Sequence, residues 1–223
     1  MLRVGLALWL LLWACACRAQ VAGSVGVVSD YRYRGVSLSD DRPALQLSID
    51  RDFAGGTYAG LMLSSVRLRD HAGIQWLPYA GIARERGGLR WEAGVQYHGF
   101  STRGLDFVQW FAGVGGERVQ ARLHHAPLYF GSGPAWYFEV DAQQPLSAHW
   151  RLLGHAGALH VHDEDPDERS FRPDVRVGVA AAWRAVDVQL AWVWTCCGSG
   201  YVEDEAYARP DRDALVLQLV HHW

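Results

Sequence analysis

Asp30, Arg32 and Arg34 recur at every second position, so an extended chain sets all three on one face, opposite Val25, Val27, Tyr31 and Tyr33. An acid and two guanidinium groups cannot face hydrocarbon cheaply, at roughly 2–4 kcal/mol per basic group near a bilayer midplane. They suit a wet interior instead. Asp50, Arg90, Glu92, Arg122, Glu139, Asp141, Arg151, Arg176 and Asp187 take the same polar parity in their own segments. Such groups permit two arrangements. Opposed acidic and basic ladders would line a narrow channel and set a transverse field for small polar solutes. Alternatively, the same groups would pair with one another and fill the lumen, because a modest barrel has little room inside.

The elements that carry these residues alternate with a period of two. Val175, Val177, Val179, Ala181 and Trp183 oppose Arg176, Gly178, Ala180 and Ala182, and Val186, Val188, Leu190, Trp192 and Trp194 oppose Asp187, Gln189, Ala191, Val193 and Thr195. Leu89 to His98 and Trp136 to Gln143 repeat the pattern. One face fits lipid and the other water. About twelve such segments follow, near 22–34, 43–52, 56–67, 73–84, 88–99, 105–115, 118–128, 134–143, 148–160, 171–183, 186–196 and 213–223. Each is close to the ~10 residues of a tilted spanning strand. The connections alternate between short turns and longer loops, as expected of a membrane barrel with both termini at the short-turn, periplasmic end. The expected fold is all-β, a transmembrane antiparallel up-and-down barrel of about twelve strands, with ten or fourteen as alternatives. An exported β-sandwich would alternate too, but Trp76, Trp91, Trp136, Trp183, Trp192 and Trp194 all sit on the apolar face. Indoles in that number suit an interfacial girdle better than a sandwich core.

Both chain ends fit this reading. Leu215, Leu217, Leu219, His221 and Trp223 share the apolar face of the last segment, which stops on an aromatic. Leu219, His221 and Trp223 are the expected assembly signal, read by the barrel-assembly machinery. At the other end Arg3 precedes an apolar run from Val4 to Cys17, followed by Ala19. The run is too short for a bilayer helix, so residues 1–19 read as a secretory signal peptide cleaved near Ala19, with a lipoprotein at Cys15 the lesser alternative. Residues 20–223 form one domain.

Two of the 21 basic residues, Arg3 and Arg18, fall in that leader, which leaves 19 against 24 acidic ones. A chain of net charge near −5 is a poor partner for nucleic acid. Lipids of the outer membrane, lipopolysaccharide and small solutes are the expected partners. Cys196 and Cys197 are adjacent, so either a vicinal disulfide or two thiols fits, and no disulfide framework exists. His160, His162, Asp163, Glu164, Asp165 and Asp167 crowd one loop, and Glu203, Asp204, Glu205, Asp211 and Asp213 another. Their order matches no calcium-loop spacing, so solvated loops rather than a metal centre are expected. No catalysis and no cofactor are expected either. His125 and His221 face outward without a serine placed beside them, and no Gly-x-Ser-x-Gly, His-Glu-x-x-His or phosphate loop occurs. A lipid hydrolase is therefore the weakest reading. A non-conducting barrel acting through the loops at 161–170 and 197–212 stands between it and the channel.

Ser29-Asp30-Tyr31-Arg32-Tyr33-Arg34-Gly35-Val36-Ser37, then Pro43-Ala44-Leu45-Gln46, Asp50, Tyr58-Ala59-Gly60 and Ser64-Ser65-Val66, resembles the opening of the TorF family of porins. The likeness continues through Leu77-Pro78-Tyr79-Ala80-Gly81, Gly94-Val95-Gln96-Tyr97, Tyr129-Phe130-Gly131 and Trp136-Tyr137-Phe138-Glu139. Tyr33, Leu47, Met62 and Ser65 depart from that pattern, where phenylalanine, glycine, tryptophan and asparagine are expected. The resemblance implies an outer-membrane barrel and says little about a solute.

Overall fold

The computed structural model describes residues 21–68, 71–102, 104–162, 171–195 and 213–223. The expected leader, the Cys196–Cys197 pair and the acidic residues from Asp163 to Asp167 and from Glu203 to Asp211 lie outside the described residues. Twelve long strands close into one antiparallel barrel. They are β1 (Val21–Val28), β4 (Ala44–Asp52), β5 (Thr57–Leu68), β6 (His71–Arg86), β7 (Leu89–Phe100), β8 (Phe107–Gly115), β9 (Val119–Tyr129), β10 (Gly133–Pro145), β11 (Trp150–Val161), β12 (Phe171–Trp183), β13 (Val186–Thr195) and β14 (Ala214–His222). β2 (Arg32–Tyr33) and β3 (Val36–Ser37) form a separate two-stranded sheet. Among the described residues no helix is long and apolar enough to cross a membrane.

The strands obey the expected parity. Leu45, Leu47 and Ile49 on β4, and Leu215, Leu217 and Leu219 on β14, are exposed on the outer surface, while Gln46, Ser48 and Gln218 turn inward. Trp91, Trp110, Trp136, Trp183 and Trp192 are outward and exposed as well. A soluble protein would not leave so continuous an apolar surface uncovered, whereas lipid covers it without cost. Short turns gather at one rim, among them Gly87–Gly88, where positive φ at both residues makes the tight hairpin turn that twisted strands favour. Val21 and Trp223 lie at that same rim. There β1 closes on β14, with the Gly23 and Trp223 backbones exchanging two hydrogen bonds of 3.2 and 3.0 Å. The Trp223 ring lies over Gly23, where a Cβ would stand 2.5 Å from the indole.

One expected boundary is wrong. The first strand does not continue to residue 34. It ends at Val28, and Ser29–Pro43 turns into the barrel, so Asp30, Arg32 and Arg34 are carried by the inner hairpin rather than by a wall strand. The cause is local. Arg34 and Gly35 both have positive φ, 52° and 80°, and form a two-residue turn between paired Tyr33 and Val36. Asp30 then staples the base, accepting hydrogen bonds from the Ser37 hydroxyl (2.5 Å), the Ser39 hydroxyl (3.2 Å) and Arg32 Nε (2.5 Å). The interior near the opposite rim is apolar: Leu38 from the inserted segment packs with Leu68, Phe100, Phe107, Tyr129, Phe130, Leu159 and Val161.

Candidate functional site: a two-sided lumen

The hairpin leaves β1 and crosses to the far wall, since β9 lies six places from β1 around the ring. Arg34 ends in a cage of phenol rings, its guanidinium carbon 4.0 Å from the Tyr137 centroid, 4.8 Å from Tyr33 and 5.2 Å from Tyr129. Arg34 Nη2 donates to Gln109 Oε1, which fixes the amide so that Gln109 Nε2 donates to His124 Nδ1 at 2.8 Å. His124 Nε2 then meets Glu139 Oε1 at 2.9 Å. A second relay starts at Tyr31, whose hydroxyl donates to Gln75 Oε1 at 2.8 Å, and Gln75 Nε2 reaches His98 Nδ1 at 3.2 Å. Burial raises the Tyr31 and Tyr33 hydroxyls above their usual value, so both stay neutral beside the arginine. Gly35 at the tip meets Thr195 and Asp174, where a Cβ would stand 2.6 Å from the Thr195 side chain.

Beside the hairpin lies a polar cavity of about 420 Å³. A second, of about 190 Å³, shares Asp141 and Arg176 with it and reaches the Gly116–Arg118 turn at the short-turn rim. Asp30, Arg32, Arg34, Arg122, Glu139, Asp141 and Arg176 all line the larger cavity. The remaining candidates lie elsewhere. Glu92 is buried and accepts from Arg122 Nε and from Gln120. Arg151 pairs with Asp187 at 2.7 Å. Asp50 takes the Tyr79 hydroxyl and sits near Ser48, and Arg90 is exposed near the rim with Arg84 and Glu85. Opposed ladders across the lumen are not what forms. Acids and bases pair on one wall: Arg122 with Glu92 and Glu139, Arg176 with Asp141, and His155 between Asp141 and Asp174. The facing wall of β13, β14, β1 and β4 presents Gln189, Ala191, Val193, Val216, Gln218, Val28 and Gln46 to the same cavity.

Gln75, Gln109, His98, His124, His155, Tyr137 and Asp174 do as much here as the charged candidates and were not singled out from sequence. Their parity along β6 to β12 marked them as inward, but alternation does not tell a neutral relay from a solvated side chain.

The geometry is a closed β-barrel with a polar, partly occluded interior, the architecture of outer-membrane porins. By sequence the chain belongs to a bacterial family of proteins of unknown function, Gcw_chp, whose pattern matches residues 14–214. No protein of curated function matches it by sequence. Its structure is similar to the KdgM porin (TM-score 0.57, 9% identity, 91% of this chain and 98% of that one). It is also similar to the NanC porin (0.58, 5%, 91% and 99%) and to an outer-membrane channel of Pseudomonas putida F1 (0.57, 10%, 92% and 95%). At these identities the likeness shows the fold alone.

Proposed function

We propose that this chain is an outer-membrane porin that lets small polar or ionic solutes diffuse past the 32–37 hairpin, and that it is not an enzyme. Carrying this reading is the polar space that runs from the hairpin to the short-turn rim inside a closed barrel. Gln109 and the phenol cage, braced by the charged network on β9–β12, would hold the hairpin and fix the width, and solutes would pass along the neutral wall of β13, β14 and β1. The resemblance to TorF porins in the block from Ser29 to Ser37 is part of this reading, because that block builds the constriction. The outward apolar band supports a location in the outer membrane. Both termini would lie in the periplasm after loss of residues 1–19, lipopolysaccharide would surround the outer rim, and Leu219, His221 and Trp223 would present the closing strand to the assembly machinery.

A second reading has its own support. The apolar cluster around Phe100, Phe107 and Phe130 fills the interior near the longer loops, as a sealed barrel requires. Single-channel recording in planar bilayers separates the two. The porin reading expects discrete steps from folded wild-type protein. Silence from wild type, with steps only after hairpin deletion, would establish a plugged barrel.

A further inference from the structure

Two histidines on the charged wall have different hydrogen-bond logic. His124 has a donor at Nδ1, the Gln109 amide, and an acceptor at Nε2, Glu139, which suits a neutral ring. His155 has a carboxylate at each nitrogen: Asp141 Oδ1 at 2.8 Å from Nδ1 and Asp174 Oδ1 at 3.0 Å from Nε2. Asp174 is buried and held by the Tyr137 hydroxyl at 3.1 Å, so Nε2–H is the fixed donor. At Nδ1 the ring then has two states: an imidazolium that donates to Asp141 as well, or a neutral ring whose Nδ1 lone pair and Asp141 share a metal ion in place of that proton.

From this geometry we infer a divalent-metal site formed by Glu139, Asp141 and His155 on the lumen wall. One ligand atom from each lies within 4.8 Å of the others. Glu139 and Asp141 share the inward face of β10, and His155 stands directly across from Asp141 on β11. The remaining parts match a metal site's outer support. Asp174 orients the ligating imidazole from behind, and His124 Nε2–H holds Glu139. One imidazole with two carboxylates favours zinc, manganese or cobalt over calcium, which takes oxygen ligands only. Drawing the three atoms to bonding distance needs side-chain shifts of less than about 1 Å. Two guanidinium groups oppose the ion. Arg122 is held mainly by Glu92 at 2.5 Å and reaches Glu139 only at 3.9 Å, while Arg176 lies 3.6 Å from Asp141 with nearly half its side chain exposed, so a bound ion would displace both weaker contacts. This site requires no transport through the barrel, so it stands or falls separately from the porin reading.

The test uses full-length protein refolded in detergent, its folding checked by heat-modifiable gel mobility. Zinc binding is followed by calorimetry, and cobalt by its visible spectrum. One saturable ion per folded chain is expected. Asp141→Asn and His155→Gln should each weaken it by at least about tenfold, and Asp174→Asn by about tenfold through the unseated ring. Arg176→Gln should tighten it, a direction that general loss of structure cannot produce. A double variant of exposed histidines away from the cluster, His71→Ala with His149→Ala, should bind as wild type does. Equal binding by wild type and Asp141→Asn, or no saturable binding by folded wild type, overturns the site.

Discussion

The two sides of the lumen are built from the same kind of strand and reach opposite chemical states. On β7 to β12 the inward positions carry Glu92, His98, Gln109, Arg122, His124, Glu139, Asp141, His155, Asp174 and Arg176, nearly all tied to one another. On β13, β14, β1 and β4 they carry Gln, Ser, Ala and Val, with Asp187 and Asp50 set aside in pairings of their own. Charge crowded onto one wall is stable only if each group finds a partner, since an unpaired charge in a confined interior costs several kcal/mol. The completed network can then grip the hairpin tip through Gln109 and the phenol cage. A neutral wall grips nothing and leaves space.

Deleting the hairpin should break that contrast most. Replacing Tyr31–Asp41 with a short Gly-Ser linker removes the element that spans the lumen, and conductance in planar bilayers should rise several-fold, in line with the wider cross-section. Unchanged conductance would mean that the hairpin does not set the width. Next in size is Arg34→Met, which keeps most of the side-chain volume while discarding the cation over three rings and the bond to Gln109. A loss of about 2–4 kcal/mol in unfolding free energy is expected, from the cation–π contacts and the charged hydrogen bond together, Gln109 Oε1 keeping only the long 3.4 Å bond from the Tyr33 hydroxyl. The same change should raise conductance less than deletion does.

That hairpin marks where reading the sequence stopped short. Twelve strands were legible because lipid outside and water inside force a two-residue period, and no other solvent pair writes that pattern so plainly. Ser29 to Ser37 keeps the same alternation while leaving the wall, because a short inner hairpin is itself extended chain. Arg34-Gly35 was the available signal, a glycine at a two-residue turn, with Asp30 and Ser37 spaced to staple it. Pairing across strands was not legible at all. Which acid meets which arginine depends on register, and register is a property of neighbours: Glu139 stands opposite Arg122 and Asp141 opposite His155 only in the closed ladder. His124 and His125 make the point in two adjacent residues. His124 joins the lumen network, and His125 packs outside against Trp136, tilted by 31° with ring centroids 4.3 Å apart.

The neutral wall can be sharpened with two adjacent residues of β14. Leu217 is exposed on the lipid face and Gln218 lines the cavity. Leu217→Arg should cost about 2–4 kcal/mol in lipid, whereas Gln218→Arg should cost under about 1 kcal/mol because its head enters water. Urea unfolding in vesicles, followed by gel mobility, measures both. Equal costs would deny that the two faces of this strand meet different solvents.

Gln189→Glu should have the smallest effect on stability and the most specific effect on function. Gln189 lines the cavity opposite the charged wall, pairs across β12 with Ala180 and across β14 with Gln218, and lies beside no carboxylate in either register. A carboxylate there is isosteric and hydrated, so unfolding free energy should move by less than about 0.5 kcal/mol. It adds one negative charge to a wall where Asp187, two positions along the same face, already holds Arg151 at 2.7 Å, so that arginine is engaged. Ions passing along that wall should meet it directly, and the reversal potential under a salt gradient should shift toward cation preference. A reversal potential that Gln189→Glu leaves unchanged would place the path away from the neutral side.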